Sequence, residues 1–230
     1  MAFTPSRTAR ALYALASALL LLGLALSSSD GRNRIPRSLR MLSSVLVWLA
    51  ALALLRAQPS QTRRLLAGGM GFGLLGDLIM ARLIPLPQHV LFGMLAFGVG
   101  HGLYLGALAE QGGQAGPHWR QARQAGLGGG WLAGLLGWLA LIRSPRTPPP
   151  LTYGGLVYAL LLGSLGGMAA ALAASDPSHR RRAGGAGLFL ASDILLAAEL
   201  FRDLRFHNSG DAVWLSYIAG QMLIVGDEKL

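Results

Sequence analysis

Eight apolar runs, most of them close to twenty residues long, leave this chain few ways to fold. They occupy residues 11–26, 39–55, 65–84, 88–109, 126–143, 151–174, 183–201 and 211–225. A hydrocarbon core about 30 Å thick is crossed by one helix of ~20 apolar residues. The separators carry breakers and charge, as in PLPQ (85–88), SPRTPPP (144–150) and SDPSHRRR (175–182). Only 13% of residues are charged, against about 25% in a soluble domain. The expected fold is therefore all-α: a polytopic bundle of about eight transmembrane helices forming one integral membrane domain over residues 1–230.

The net charge of +10 comes from 19 arginines and one lysine, placed mostly in the separators. There they can meet lipid phosphates and fix orientation. Eight spans put both termini on one side. That side collects 11 Lys/Arg and the other 9, which predicts cytoplasmic termini in the cell (inner) membrane. No segment is long enough for a soluble basic domain, so nucleic acid is not an expected partner. With no cysteine there is no disulfide and no thiolate chemistry. The first run also resembles a signal peptide, whose removal would leave seven spans; its length favours retention. Small-xxx-small pairs at Gly69/Gly73, Gly102/Gly106, Gly130/Gly134 and Gly163/Gly167 predict close packing within one bundle. They leave the oligomeric state open.

Two carboxylates interrupt this pattern. GFGLLGDLIM (71–80) holds Asp77 and LFLASDILLA (188–197) holds Asp193. Each costs roughly 2.5–3.5 kcal/mol in a helix centre on insertion scales, so an intramembrane acid marks a functional site. Asp77 lies twelve residues into the third run and Asp193 ten into the seventh, roughly 18 and 15 Å along parallel helices. Matched depth near the midplane is expected. Gly73 and Gly76, before Asp77, leave room for water, whereas bulky apolar residues surround Asp193. This inclines an acid role to Asp193 and a base role to Asp77.

Further polar groups share helix faces. Phe97, His101 and Tyr104 follow i, i+4, i+7 spacing, as Trp214, Tyr217 and Gln221 follow i, i+3, i+7. Arg40, with Ser43 and Ser44, heads the second span. Taken singly, Tyr104, Tyr158 and Trp214 read as interface anchors or packing residues. The five histidines are scattered without metal-ligand spacing. No nucleophile elbow, P-loop or dinucleotide fingerprint occurs. Neither a metal nor a cofactor is expected.

GLLGDLIM, AFGVGHGLYL, YALLLGSLGGM (158–168), GLFLASDILLA and WLSYIAGQMLI (214–224) occur in this order. Together they resemble the YhhN-like family of membrane proteins, whose characterised members are lysoplasmalogenases. The resemblance covers about Leu39 to Ile224 and maps two family aspartates onto Asp77 and Asp193. At the head of the second span Arg40-Met41 stands where the family pattern has Lys-Pro, so a cation is kept and a proline lost. The resemblance implies hydrolysis of the vinyl ether bond of a lysophospholipid, giving a fatty aldehyde and a glycerophospho-headgroup. The expected catalytic pair is Asp77 and Asp193. Arg40, His101, Tyr104, Tyr158, Tyr217 and Gln221 are the expected substrate contacts, and the partners are the lysophospholipid and membrane lipids.

The residue types suit that chemistry independently. A vinyl ether is cleaved by protonation at carbon and attack of water on the resulting oxocarbenium ion. One carboxylic acid and one carboxylate divide that work, as they do in glycosidases. Two rival readings use the same aspartates. A proton-coupled lipid or solute carrier would use them as relays, although no span looks broken as alternating access requires. An intramembrane aspartyl protease would need YD, GxGD and PAL signatures, and the chain has GLLGD, SD and no PAL.

Overall fold

A computed structural model describes residues 5–226 apart from 115 and 117. Each of the eight apolar runs becomes a helix: α1 (Pro5–Leu26), α2 (Arg37–Ala57), α3 (Gln61–Met80), α4 (His89–Gly112), α5 (Trp119–Gly137), α6 (Pro149–Ser175), α7 (Arg180–Arg202) and α8 (Ser209–Val225). A π-helical turn at Trp138–Ile142 prolongs α5, and a 3₁₀ turn at Pro177–His179 leads into α7. The breakers act where their chemistry predicts. Ser60 caps α3 by accepting from the Arg63 amide at 3.1 Å. Pro149 starts α6, where a missing N–H costs nothing.

Six helical segments are long and apolar enough to cross a membrane: Arg7–Leu26, Arg37–Ala57, His89–Gly112, Trp119–Ile142, Pro149–Ser175 and Pro177–Arg202. The other two helices fall short for separate reasons. α8 has only 17 residues, and α3 opens on the polar turn QTRR. Four boundaries differ from the sequence expectation by four residues or more: α1 begins at Pro5 rather than 11 and α3 at Gln61 rather than 65. α5 begins at Trp119 rather than 126. α3 ends at Met80 rather than 84, because Ala81 closes it and Arg82 turns left-handed at φ 56° ahead of Pro85.

Chain neighbours pair as α1/α2, α3/α4, α5/α6 and α7/α8; α4 also packs on α6, α6 on α7, and α8 on both α2 and α3. The α5/α6 pair meets backbone to backbone. A Cβ at Gly130 would fall on the Gly163 carbonyl, and one at Gly126 on the Gly167 carbonyl. Gly126, Gly130 and Gly134 of α5 thus lie against Gly167, Gly163 and Ala159 of α6 within the chain. Gly69 and Gly73 instead admit side chains, the Tyr104 ring at Gly69 and the ends of Tyr217 and Gln221 at Gly73.

At one end of the bundle, the α1–α2 and α7–α8 loops are clasped together. The Asn208 amide donates to the Gly31 carbonyl at 3.1 Å, and the Gly210 amide to the Arg32 carbonyl at 3.0 Å. Buried Asp211 accepts from the amides of Arg34 (2.6 Å) and Ile35 (3.0 Å). Buried Glu199, near the end of α7, pairs with Arg32 at 2.5 Å and faces Arg205 at 3.6 Å. Within the first loop, the Asn33 and Arg32 amides hold the exposed Asp30 carboxyl below its ordinary range.

Candidate functional site

A cavity of about 290 Å³ opens at the clasped end. Asp77 of α3, Asp193 of α7, Tyr217 of α8 and Phe97 of α4 form its inner wall. Four arginines stand around it: Arg32 from the α1–α2 loop, Arg37 and Arg40 from the first turn of α2, and Arg82 just after α3. Two aspartates from helices far apart in the chain therefore face one space.

Asp77 is buried, and two hydroxyls converge on its Oδ2: Ser44 donates at 2.5 Å and Tyr217 at 3.0 Å. The glycines before it do not hold water space. The Gly73 site is closely approached by the ends of Tyr217 and Gln221, and the Gly76 site is taken by the Phe97 ring, too close for an added Cβ. Asp193 is only partly buried and receives one hydroxyl, from Tyr158 at 2.6 Å. The sequence argument for different roles expected the more open aspartate to be Asp77; the structure reverses that order. The places of the two aspartates along their helices also differ. With α3 ending at Met80, Asp77 lies in the last turn, three residues from the helix end. Asp193 is nine residues from the end of α7, roughly 13 Å at 1.5 Å per residue.

Of the other expected site residues, Arg40 and Tyr217 line the cavity. The Arg40 guanidinium donates to Asn33 Oδ1 at 2.8 Å and lies 5.9 Å from the Trp214 ring centre. Trp214 in turn donates to Ser43 Oγ at 3.1 Å. Tyr158 lines a second, smaller space beside Asp193. Tyr104, Gln221 and His101 are absent from both linings. They form a buried layer behind the wall: Tyr104 donates to Gln221 Oε1 at 2.6 Å, and His101 packs at 5.1 Å ring-centre distance on both Tyr158 and Phe189. Among the described residues, neither ring nitrogen of His101 has a hydrogen-bond partner. The sequence spacing predicts two polar faces toward the cavity, His101 with Tyr104 on α4 and Tyr217 with Gln221 on α8. Packing turns His101, Tyr104 and Gln221 into support for Tyr217 and Tyr158.

Sequence reasoning passed over Arg32, Arg37 and Arg82, which looked like ordinary loop charges, and also Glu199 and Asp211. Glu199 did carry a signal, since LLAAELF (195–201) is another apolar run with an acid inside it. Among the described residues no three His, Cys, Asp or Glu side chains come together to hold a metal. The arrangement can accept a group bearing negative charge at its rim and present two carboxyls, with hydroxyl donors behind them, a short way inside.

Comparison with known proteins places a match to the YhhN family over residues 38–227. No curated protein and no solved structure is significantly similar to the chain.

Proposed function

The chain belongs to the YhhN family, and from that membership and the order of groups along its cavity we propose that it is a membrane-embedded hydrolase cleaving the vinyl ether bond of lysoplasmalogens or a related lysolipid. The observation that carries this reading is the sequence of environments. Arginines rim the cavity, two aspartates lie inside it, and the space beyond Asp193 is lined almost wholly by apolar side chains. A lysoplasmalogen has the same order: phosphate, glycerol, vinyl ether, hydrocarbon chain. Guanidinium forks suit phosphate oxygens, and among the described residues the hydrogen bonds of Arg37 and Arg40 go to neutral oxygens, those of Ala81 and Asn33.

Asp193 borders both the polar and the apolar space, where the vinyl carbons would lie, and so takes the acid role. Its proton passes to the β-carbon of the vinyl ether as the π electrons form the new C–H bond, leaving an oxocarbenium ion. Asp77, oriented by Ser44 and Tyr217, accepts a proton from water as the water oxygen attacks that ion. The resulting hemiacetal collapses: its hydroxyl proton goes to Asp193 and the glycerol oxygen leaves with the proton held by Asp77. One water is consumed, both aspartates return to their starting states, and a fatty aldehyde and a glycerophospho-headgroup are released.

The test is aldehyde release from a panel of lysolipids by purified protein. General acid catalysis is worth ~10²–10⁴-fold, and residues acting as a unit lose activity non-additively. Asp77→Asn, Asp193→Asn and the double variant should therefore be nearly inactive to a similar degree. The wild-type pH–rate profile should be bell-shaped, with limbs belonging to the pair. A folded single variant that keeps more than about a tenth of wild-type activity, short of that acid–base loss, refutes the two-carboxylate mechanism. Aspartate-dependent uptake into vesicles without aldehyde would transfer the site to a carrier.

A further inference from the structure

Two further spaces adjoin the inner cavity beyond Asp193. The inner cavity and the smaller apolar space share Met80, Phe97, Asp193 and Leu196 as common walls. That second space measures about 50 Å³, room for only a short piece of hydrocarbon. The only polar side chains on its lining are Asp193 and Tyr158, and they are hydrogen-bonded to each other. It shares Met94 and Tyr158 with a third space of about 400 Å³, a groove between α4 and α6. Gly98 and Gly154 line this groove, so no side chain projects from either. Leu95, Val99 and Val157 on its flanks are exposed, as residues facing lipid are. Three spaces thus follow one another from the arginine rim to the outer surface of two helices.

We propose that the hydrocarbon chain of the substrate passes between Phe97 and Leu196, crosses the Tyr158–Asp193 pair, and lies in the α4–α6 groove open to the bilayer. This rests on the lysolipid reading above and adds the chain's path and its consequence for specificity. A closed pocket favours each methylene it buries and rejects chains that overfill it. An open groove has no end wall, so chain length beyond the inner spaces carries no selection. The path also divides the products, with the aldehyde leaving sideways into lipid and the polar headgroup through the arginine rim.

The path can be mapped without relying on hydrolysis. The probe is a saturated-ether lysophosphoethanolamine with a hexadecyl chain and a diazirine at the chain end, added to wild-type protein in lipid nanodiscs. A diazirine-bearing phospholipid serves as the bulk-lipid control. Photolabelled peptides should concentrate on residues 91–99 and 154–161, well above the control, and excess unlabelled lysolipid should suppress them. Val157→Trp, at an exposed groove position where folding is not at stake, should reduce this labelling several-fold. Ala197→Trp, which fills the small apolar space, should reduce it too. Labelling spread over the lipid-facing helices as in the control, labelling confined to α1 and α2, or labelling unchanged in both variants would overturn the proposal. In a kinetic arm, vinyl ether substrates of twelve, sixteen and twenty carbons at equal surface concentration should differ by less than about threefold, whereas a closed pocket would separate them far more steeply. Groove labelling without aldehyde from any substrate would keep this path and remove the hydrolase reading.

Discussion

Helices α5 and α8 invert each other. α5 with its π-helical turn is a 24-residue apolar segment long enough to span a membrane, yet in α5 only Trp119 and Gly130 are buried. α8 has 17 residues and buries ten of them, including Asp211, Tyr217 and Gln221. The apolar helix faces lipid and touches the bundle through glycine backbones. The shorter helix sits inside and spends its polar side chains on partners. In a membrane, hydropathy reports what a helix shows to hydrocarbon, while burial and polar pairing report what it does. Asp77 and Tyr217 lie on the two helices that are not long and apolar enough to span.

That contrast can be broken or sharpened by substitution. Beyond the aspartates themselves, the largest effect is expected at α8. Tyr217→Phe keeps the ring contacts with Phe97, Phe189 and Trp214 and removes one donor to Asp77. Hydrogen bonds to charged groups contribute ~1.5–3 kcal/mol, so aldehyde release should fall roughly 10–100-fold with little change in thermal midpoint. Full activity in this variant would reduce α8 to scaffolding. Gln221→Leu comes next, since it leaves the buried Tyr104 hydroxyl without its acceptor, at a cost of about 1–3 kcal/mol. Activity should drop several-fold in folded protein. If Gln221→Leu and His101→Phe both retained full rates, the layer behind the wall would be packing alone. On the other side of the comparison, Gly163→Leu would drive a side chain into the α5 backbone. It should lower stability by about 1–3 kcal/mol, read as a lower midpoint in detergent, while protein that stays folded keeps its rate. Smallest of all is Leu135→Ala on the exposed face of α5, expected within about 0.5 kcal/mol and without effect on turnover.

Much of this arrangement was legible in the residues. Every apolar run became a helix because backbone groups in lipid must bond within their own segment. The i, i+3, i+7 spacing correctly put Trp214, Tyr217 and Gln221 on one inward side of α8. The site's position along α3 was not legible. Ile84 continues the apolar run, but the left-handed turn at Arg82 ends the helix earlier and leaves Asp77 in its last turn. The glycines misled for a related reason. A small residue shows that something comes close, and here the neighbours are Phe97, Tyr217 and Gln221 rather than water. Arginines counted as topology signals also converge on the cavity, which depends on loop geometry that no local pattern encodes.

The clasp between the two loops sets an order of manufacture. Chains are synthesised from the N-terminus, so α8 is made after the other seven helices. Until it arrives, the amides of Arg34 and Ile35 lack the Asp211 carboxylate, and Asp77 lacks its Tyr217 donor. At 17 residues, with buried positions along most of its length, α8 gains more by entering a waiting bundle than by resting in lipid. A nascent chain halted before residue 209 holds both aspartates but no enclosed cavity. Such a fragment lacks the cavity wall that Val213, Trp214 and Tyr217 supply.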